Sequence, residues 1–206
     1  MAFVQFNQRI SRVVRGKSSG IFGIQACFQV NSPIFHFEQA QEVAQAFNQA
    51  GVEYLFLGKS AAILLGYPGT TQDVDVFPAR NKENCQRIVS ALQAIGFALP
   101  APLEKEILIG KDFIQIKNGP FDLDLIFAPD GIPNFEKAHN RVISFGIFPI
   151  ANLRDIIASK KASGRAKDIN ELPLLENFRE EYEKKNSPSL KSAADIAAER
   201  KPKAEH

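Results

Sequence analysis

The chain has 206 residues, 45% of them apolar, enough for one ordinary domain with a real core plus tails. Lys and Arg total 25 and Asp and Glu 23, a formal charge of +2, which gives no argument for a globally basic nucleic-acid binder. Cys27 and Cys85 are the only cysteines and no Cys/His cluster accompanies them, which argues against a disulfide framework or a structural zinc and fits a reducing cytosol.

No apolar stretch approaches ~18 residues, so a membrane span is not expected. No acidic residue precedes Glu38, while Arg9, Arg12, Arg15 and Lys17 do. That start has a faint transit-peptide composition, but we read residues 1–33 as a flexible or appended segment. Within it, 21–30 (IFGIQACFQV) has the composition of a strand or of a packed appendage.

From residue 34 the punctuation becomes regular. Apolar spacing in FHFEQAQEVAQAFNQAG predicts a helix closed by Gly51. VEYLFLG (52–58) reads as a buried strand, and KSAAILLG (59–66) as a short apolar helix. DVDVF (73–77) alternates as a strand does, and NKENCQRIVSALQAIG (81–96) is an amphipathic helix. EILIG and DFIQIK are expected to form a hairpin around Lys111, and FDLDLIF (121–127) to be a further strand after Asn118-Gly119-Pro120. RVISFGIFPIA is another strand region. NLRDIIASKKASG is a helix with Asn152 as N-cap, and the following segment continues helically, bent or restarted at Pro173. Mixed helices and strands give an α/β (α+β) class. The expected division is a core over 34–150, a helical extension over 151–185 and a disordered tail over 186–206.

Gly58-Lys59-Ser60 looks like the end of a P-loop, but the required glycine five residues earlier is Glu53. What remains is a strand-to-helix turn offering free N–H groups to an anion, or simply a tight turn with an exposed lysine. Asp73 and Asp75 are i and i+2 on a strand, so both carboxylates share one face about 6–7 Å apart. They repel unless a cation such as magnesium lies between them, or else they form a solvated acidic edge. Asp122 and Asp124 share the face opposite Phe121, Leu123, Leu125 and Phe127. A strand carrying them beside the first completes a three-carboxylate cluster suited to phosphoryl-type transfer.

Gly58…Ala61…Gly66-Tyr67-Pro68…Thr71…Asp73-Val74-Asp75, followed by a later strand with an Asp, resembles the nucleotidyltransferase superfamily that includes DNA polymerase β and the aminoglycoside nucleotidyltransferases. LDLIFAPDGIPNFEKA and LRDIIASKKASGRAKDINEL resemble its small stand-alone bacterial members, among them toxin-like and abortive-infection-related proteins. The resemblance spans roughly 37–180. It implies a mixed, mostly antiparallel sheet with flanking helices and magnesium-dependent transfer of a nucleoside monophosphate from a triphosphate such as ATP to an acceptor hydroxyl. It implies Asp73, Asp75 and Asp124 as metal ligands, with Asp124 or its neighbour Asp122 activating the hydroxyl. Gly58, Lys59, Ser60, Thr71 and Lys161 then belong to nucleotide binding. Three positions depart from the family pattern: Lys59 replaces a small residue, Gly69 an arginine and Gln72 a basic residue. Lys160, Lys161, Arg165 and Lys167 form a basic run that contacts phosphate or makes a solvated helix face, with Asp168 and Glu171 nearby. The rival to an enzyme is a degenerate nucleotide-binding or protein-interaction module, or one half of a toxin–antitoxin pair. The acceptor class stays open between RNA, protein and small molecule.

Overall fold

The computed structural model describes residues 34–186. The expected N-terminal segment and all but the first residue of the expected tail lie outside that range.

Among the described residues, seven helices flank one six-stranded mixed sheet. α1 (Phe37–Ala50) leads into β1 (Tyr54–Phe56), α2 (Gly58–Leu64) and β2 (Val74–Pro78). α3 (Lys82–Ala94) and α4 (Ala101–Leu108) precede β3 (Phe113–Ile116) and β4 (Leu123–Ile126). α5 (Phe135–His139), β5 (Ile143–Phe145), β6 (Phe148–Ile150), α6 (Leu153–Ser163) and α7 (Ala166–Asn186) complete the described chain. The strand order is β3-β4-β2-β1-β6-β5. β1–β2, β3–β4 and β5–β6 are antiparallel, while β2–β4 and β1–β6 are parallel.

Local chemistry explains most boundaries. Asn81 accepts from the Asn84 N–H and Asn152 from the Arg154 N–H, each satisfying a donor that the first helical turn leaves free. The capping box at His36 and Gln39 does the same for α1. Gly164 ends α6 at φ +63°, a left-handed conformation that costs glycine no Cβ clash, and the chain turns back there into α7. α7 runs on through Pro173 without a restart.

One expectation fails. Residues 106–108 are the end of α4, not a strand, and β3 makes its hairpin with β4 instead. Pro100 caps α4, Pro102 lies in its first turn where a missing N–H costs nothing, and Leu103 and Ile107 follow at helical spacing onto the core.

The core lies on both sides of the central strands. All three β1 residues are buried, which is why that stretch reads as continuously apolar rather than alternating. Edge-to-face contacts link Phe47 to Tyr54, Tyr54 to Phe56 and Phe56 to Phe148, joining α1 to β1 and β6. Each such ring contributes about 1.5–3 kcal/mol through burial. Asn84 is a fully buried polar residue in this apolar setting. It accepts from the Glu53 N–H and donates to the Glu53 and Ala79 carbonyls, fastening α3 to the ends of β1 and β2.

Candidate metal centre

Parallel pairing of β2 with β4 places Asp75 directly beside Asp124, with Val74 against Leu123 and Val76 against Leu125. Neighbouring strands are about 4.8 Å apart, so the two carboxylates project from one face as neighbours. Asp73, one residue before β2, joins them. Each of the three offers an oxygen within 4.8 Å of the others.

Each carboxylate has its own support. The Thr71 hydroxyl donates to Asp73 Oδ1 at 2.7 Å. Asp75 is held through its backbone: its N–H donates to Ser60 Oγ and its carbonyl accepts from the Leu57 N–H. Ser60 is fully buried and also donates to the Leu57 carbonyl, so its hydroxyl braces β2 against the start of α2. Its hydroxyl is thereby engaged within the protein on both counts. Gly58 explains itself at the same spot. Its φ is +67°, and a Cβ there would lie 2.1 Å from Asp75 Oδ2. Only glycine lets the turn pass so close to the carboxylate.

The electrostatics are those of an anion cluster that nearby cations only partly compensate. Burial, then Asp73 and Asp124, push the Asp75 carboxyl well above the usual carboxylate range, and Lys160 and Lys167 pull it back in part. Asp124 is pushed up to about 6, first by burial and then by Asp73, against a hydrogen bond from its cross-strand partner Gln115. Asp124 is 5% exposed, and its Oδ1 is buried without any hydrogen-bond partner. A buried, unpaired carboxylate oxygen costs several kcal/mol unless something fills its coordination. Three hard oxygen donors, one of them orphaned, fit a divalent cation. Asp122 lies just before β4, outside the triad, where it raises Asp124 further by its charge while its carbonyl accepts from the Val74 N–H.

The cations stand differently from the sequence expectation. Lys59 Nζ is 2.6 Å from Glu171 Oε1, and Lys160 Nζ is 3.1 Å from Glu171 Oε2 and 2.9 Å from Asp168. Lys161 pairs with Glu176, and the lysine of the run whose charge reaches Asp75 most strongly is Lys160. Lys160 and Asp168 are largely buried, so this part of the basic run is no solvated face. Gly69 is filled from within: a Cβ there would meet the Tyr67 ring at 2.7 Å. Sequence reasoning named Glu171 as a neighbour of the basic run but missed it as the partner of Lys59. Its signal was the i,i+3 spacing of Asp168 and Glu171 on a helix that Gly164 folds back along α6.

No family model matches the chain. No curated protein matches it either. Among solved structures, the crystal structure of JHP933 from Helicobacter pylori is similar, at 17% identity and a TM-score of 0.43 over 71% of this chain and 67% of that one.

Proposed function

We propose that this protein is a magnesium-dependent nucleotidyltransferase that moves a nucleoside monophosphate from a nucleoside triphosphate to an acceptor hydroxyl on RNA, protein or a small molecule. The observation that carries the reading is the triad of Asp73, Asp75 and Asp124, converging within 4.8 Å with Asp124 Oδ1 buried and unpartnered. Asp73, Asp75 and Asp124 would hold the metal, which supplies neutralisation of the carboxylates and polarisation of a phosphoryl oxygen. Thr71 and Ser60 orient Asp73 and Asp75. Gly58 leaves the space in front of Asp75 free of side chain. Asp124, the triad member on β4, would also be placed to accept the proton of the acceptor hydroxyl. The acceptor oxygen bonds the α-phosphorus, the α–β bridge breaks and pyrophosphate leaves. Among the described residues no helix is long and apolar enough to cross a membrane, and we place the reaction in the cytoplasm, with ATP among the candidate donors.

Incubation with labelled triphosphates, magnesium and cell extract tests this. Label should reach an acceptor with the wild type and not with Asp73→Ala/Asp75→Ala. Equal labelling, or none with either protein together with no magnesium-dependent nucleotide binding, sinks the reading. The Lys59–Glu171 pair gives specific support to a second one, a non-catalytic module in which the turn is closed by the protein itself. Tight magnesium-dependent nucleotide binding without turnover, or a co-purifying partner protein, would favour it.

A further inference from the structure

Glu171 receives an unusual set of donors from three separate parts of the fold. Lys59 from the first turn of α2 reaches Oε1, Lys160 from α6 reaches Oε2, and the Tyr67 hydroxyl donates to Oε1 at 3.3 Å. The side chain of Glu171 is 14% exposed and that of Lys59 is 30% exposed, so the pair sits at the solvent side of the cluster. Asp168 forms the inner anchor. It binds Lys160, Arg165 and Ser163 and is 2% exposed. Lys160 therefore keeps a carboxylate even when Glu171 moves away. Three cations (Lys59, Lys160, Arg165) meet two carboxylates (Asp168, Glu171), which leaves one positive charge in excess. The cluster also adjoins the triad: Lys59 follows Gly58, which packs against Asp75, and the charge of Lys160 reaches Asp75.

We propose that Glu171 is an internal stand-in for a phosphate group, occupying the anion place made by Lys59, Lys160 and Tyr67, so that a polyphosphate entering beside the aspartate triad must displace it. Identifying that polyphosphate as the tail of a nucleoside triphosphate rests on the nucleotidyltransferase reading; the competition itself does not. Glu171 then sets the affinity of the site, and its release loosens the hold of α7 on the glycine turn. A phosphate suits the exchange because it brings more charge and more acceptor oxygens than a carboxylate to the same donors. Lys59, which departs from the small residue of the resembled family, becomes the residue that couples anion binding to α7.

The test uses inorganic tripolyphosphate in EDTA, with neither nucleoside nor metal, on the 206-residue chain. Calorimetry should show Glu171→Gln binding on the order of tenfold tighter than wild type and Lys59→Met weaker. Hydrogen exchange on the wild type provides a second readout that needs no variant to fold: tripolyphosphate should speed exchange of the α7 amides around Glu171. Glu171→Gln binding no tighter than wild type, or α7 exchange that is unchanged or slowed, overturns the proposal. Magnesium calorimetry on wild type and Asp73→Asn reads the triad separately, so failure of one leaves the other standing.

Discussion

At the scale of single residues, the carboxylate cluster is a place where the fold gives up stability. Asp124 has a buried oxygen with no partner and stands beside Asp73 and Asp75. Asp124→Asn should therefore stabilise the metal-free protein by roughly 1–2 kcal/mol, because it removes one of three crowded charges. If the triad holds magnesium as proposed, the metal should stabilise the wild type by about 2.7 kcal/mol at a hundredfold excess over the dissociation constant, and the variant should lack that gain. Thermal melts of both proteins in EDTA and in magnesium check the pair of outcomes. A wild type that magnesium leaves unmoved would contradict the metal assignment. Lys59 shows why a residue must be read with its neighbours. By type it is a phosphate-binding cation, yet its charge is met by a glutamate more than a hundred residues away in sequence. Gly69 is similar: it looks like a lost arginine, but the folded-back Tyr67 ring fills the space that its side chain would need.

At the scale of elements, the β1–α2 turn and the α6–α7 pair do the positioning. Gly58→Ala puts a Cβ into the Asp75 carboxylate in a left-handed backbone, so a loss of about 2 kcal/mol or more is expected, with weakened magnesium binding. Chemical denaturation and calorimetry on the same preparation measure both. α7 is held by charge as well as by Leu175 and Phe178, whose ring meets Tyr67 edge-on. Burial alone would push the Asp168 carboxyl up, but hydrogen bonds from Lys160, Arg165 and Ser163 outweigh it and hold it at about 2. A carboxylate depressed in the fold stabilises above its unfolded pKa of about 3.9 and loses that contribution as pH falls through the folded value. The α6–α7 contact should thus weaken between pH ~4 and ~2 by on the order of 2 kcal/mol, and Asp168→Asn should remove that acid step. Helix content followed against pH in both proteins decides it, since a step that survives in Asp168→Asn would place the acid sensitivity elsewhere.

At the scale of the whole molecule, the sheet determines which residues meet. β2 and β4 have strand neighbours on both sides, whereas β3 and β5 are edges. Native-state hydrogen exchange should be slowest in β2 and β4 and faster by at least tenfold in β5, whose residues are partly or fully exposed. Equal protection would mean that the edge is covered in solution. Helices α1, α2, α3 and α6, the class of the fold, and the alternation that sets Asp73, Asp75 and Asp124 opposite an apolar face were all legible in the chain. They depend on local spacing, caps and period-two patterning, which need no knowledge of distant residues. α4 was not legible, because a short apolar segment suits strand and helix equally until the proline-capped start and Ile107's burial decide. α5 gave no sequence signal strong enough to name. The sequence by itself thus determined that carboxylates would line one face of two strands. Only the tertiary structure decided that those strands lie side by side in parallel, that Asp122 stays outside the triad, and that Lys160 and Glu171 close over the turn. Register between β2 and β4 and the docking of α7 are long-range packing outcomes. The first is fixed by burying Leu123, Leu125, Val74 and Val76 together, the second by Leu175 and the ion pairs of Lys160 with Asp168 and Glu171, and local chemistry cannot specify either.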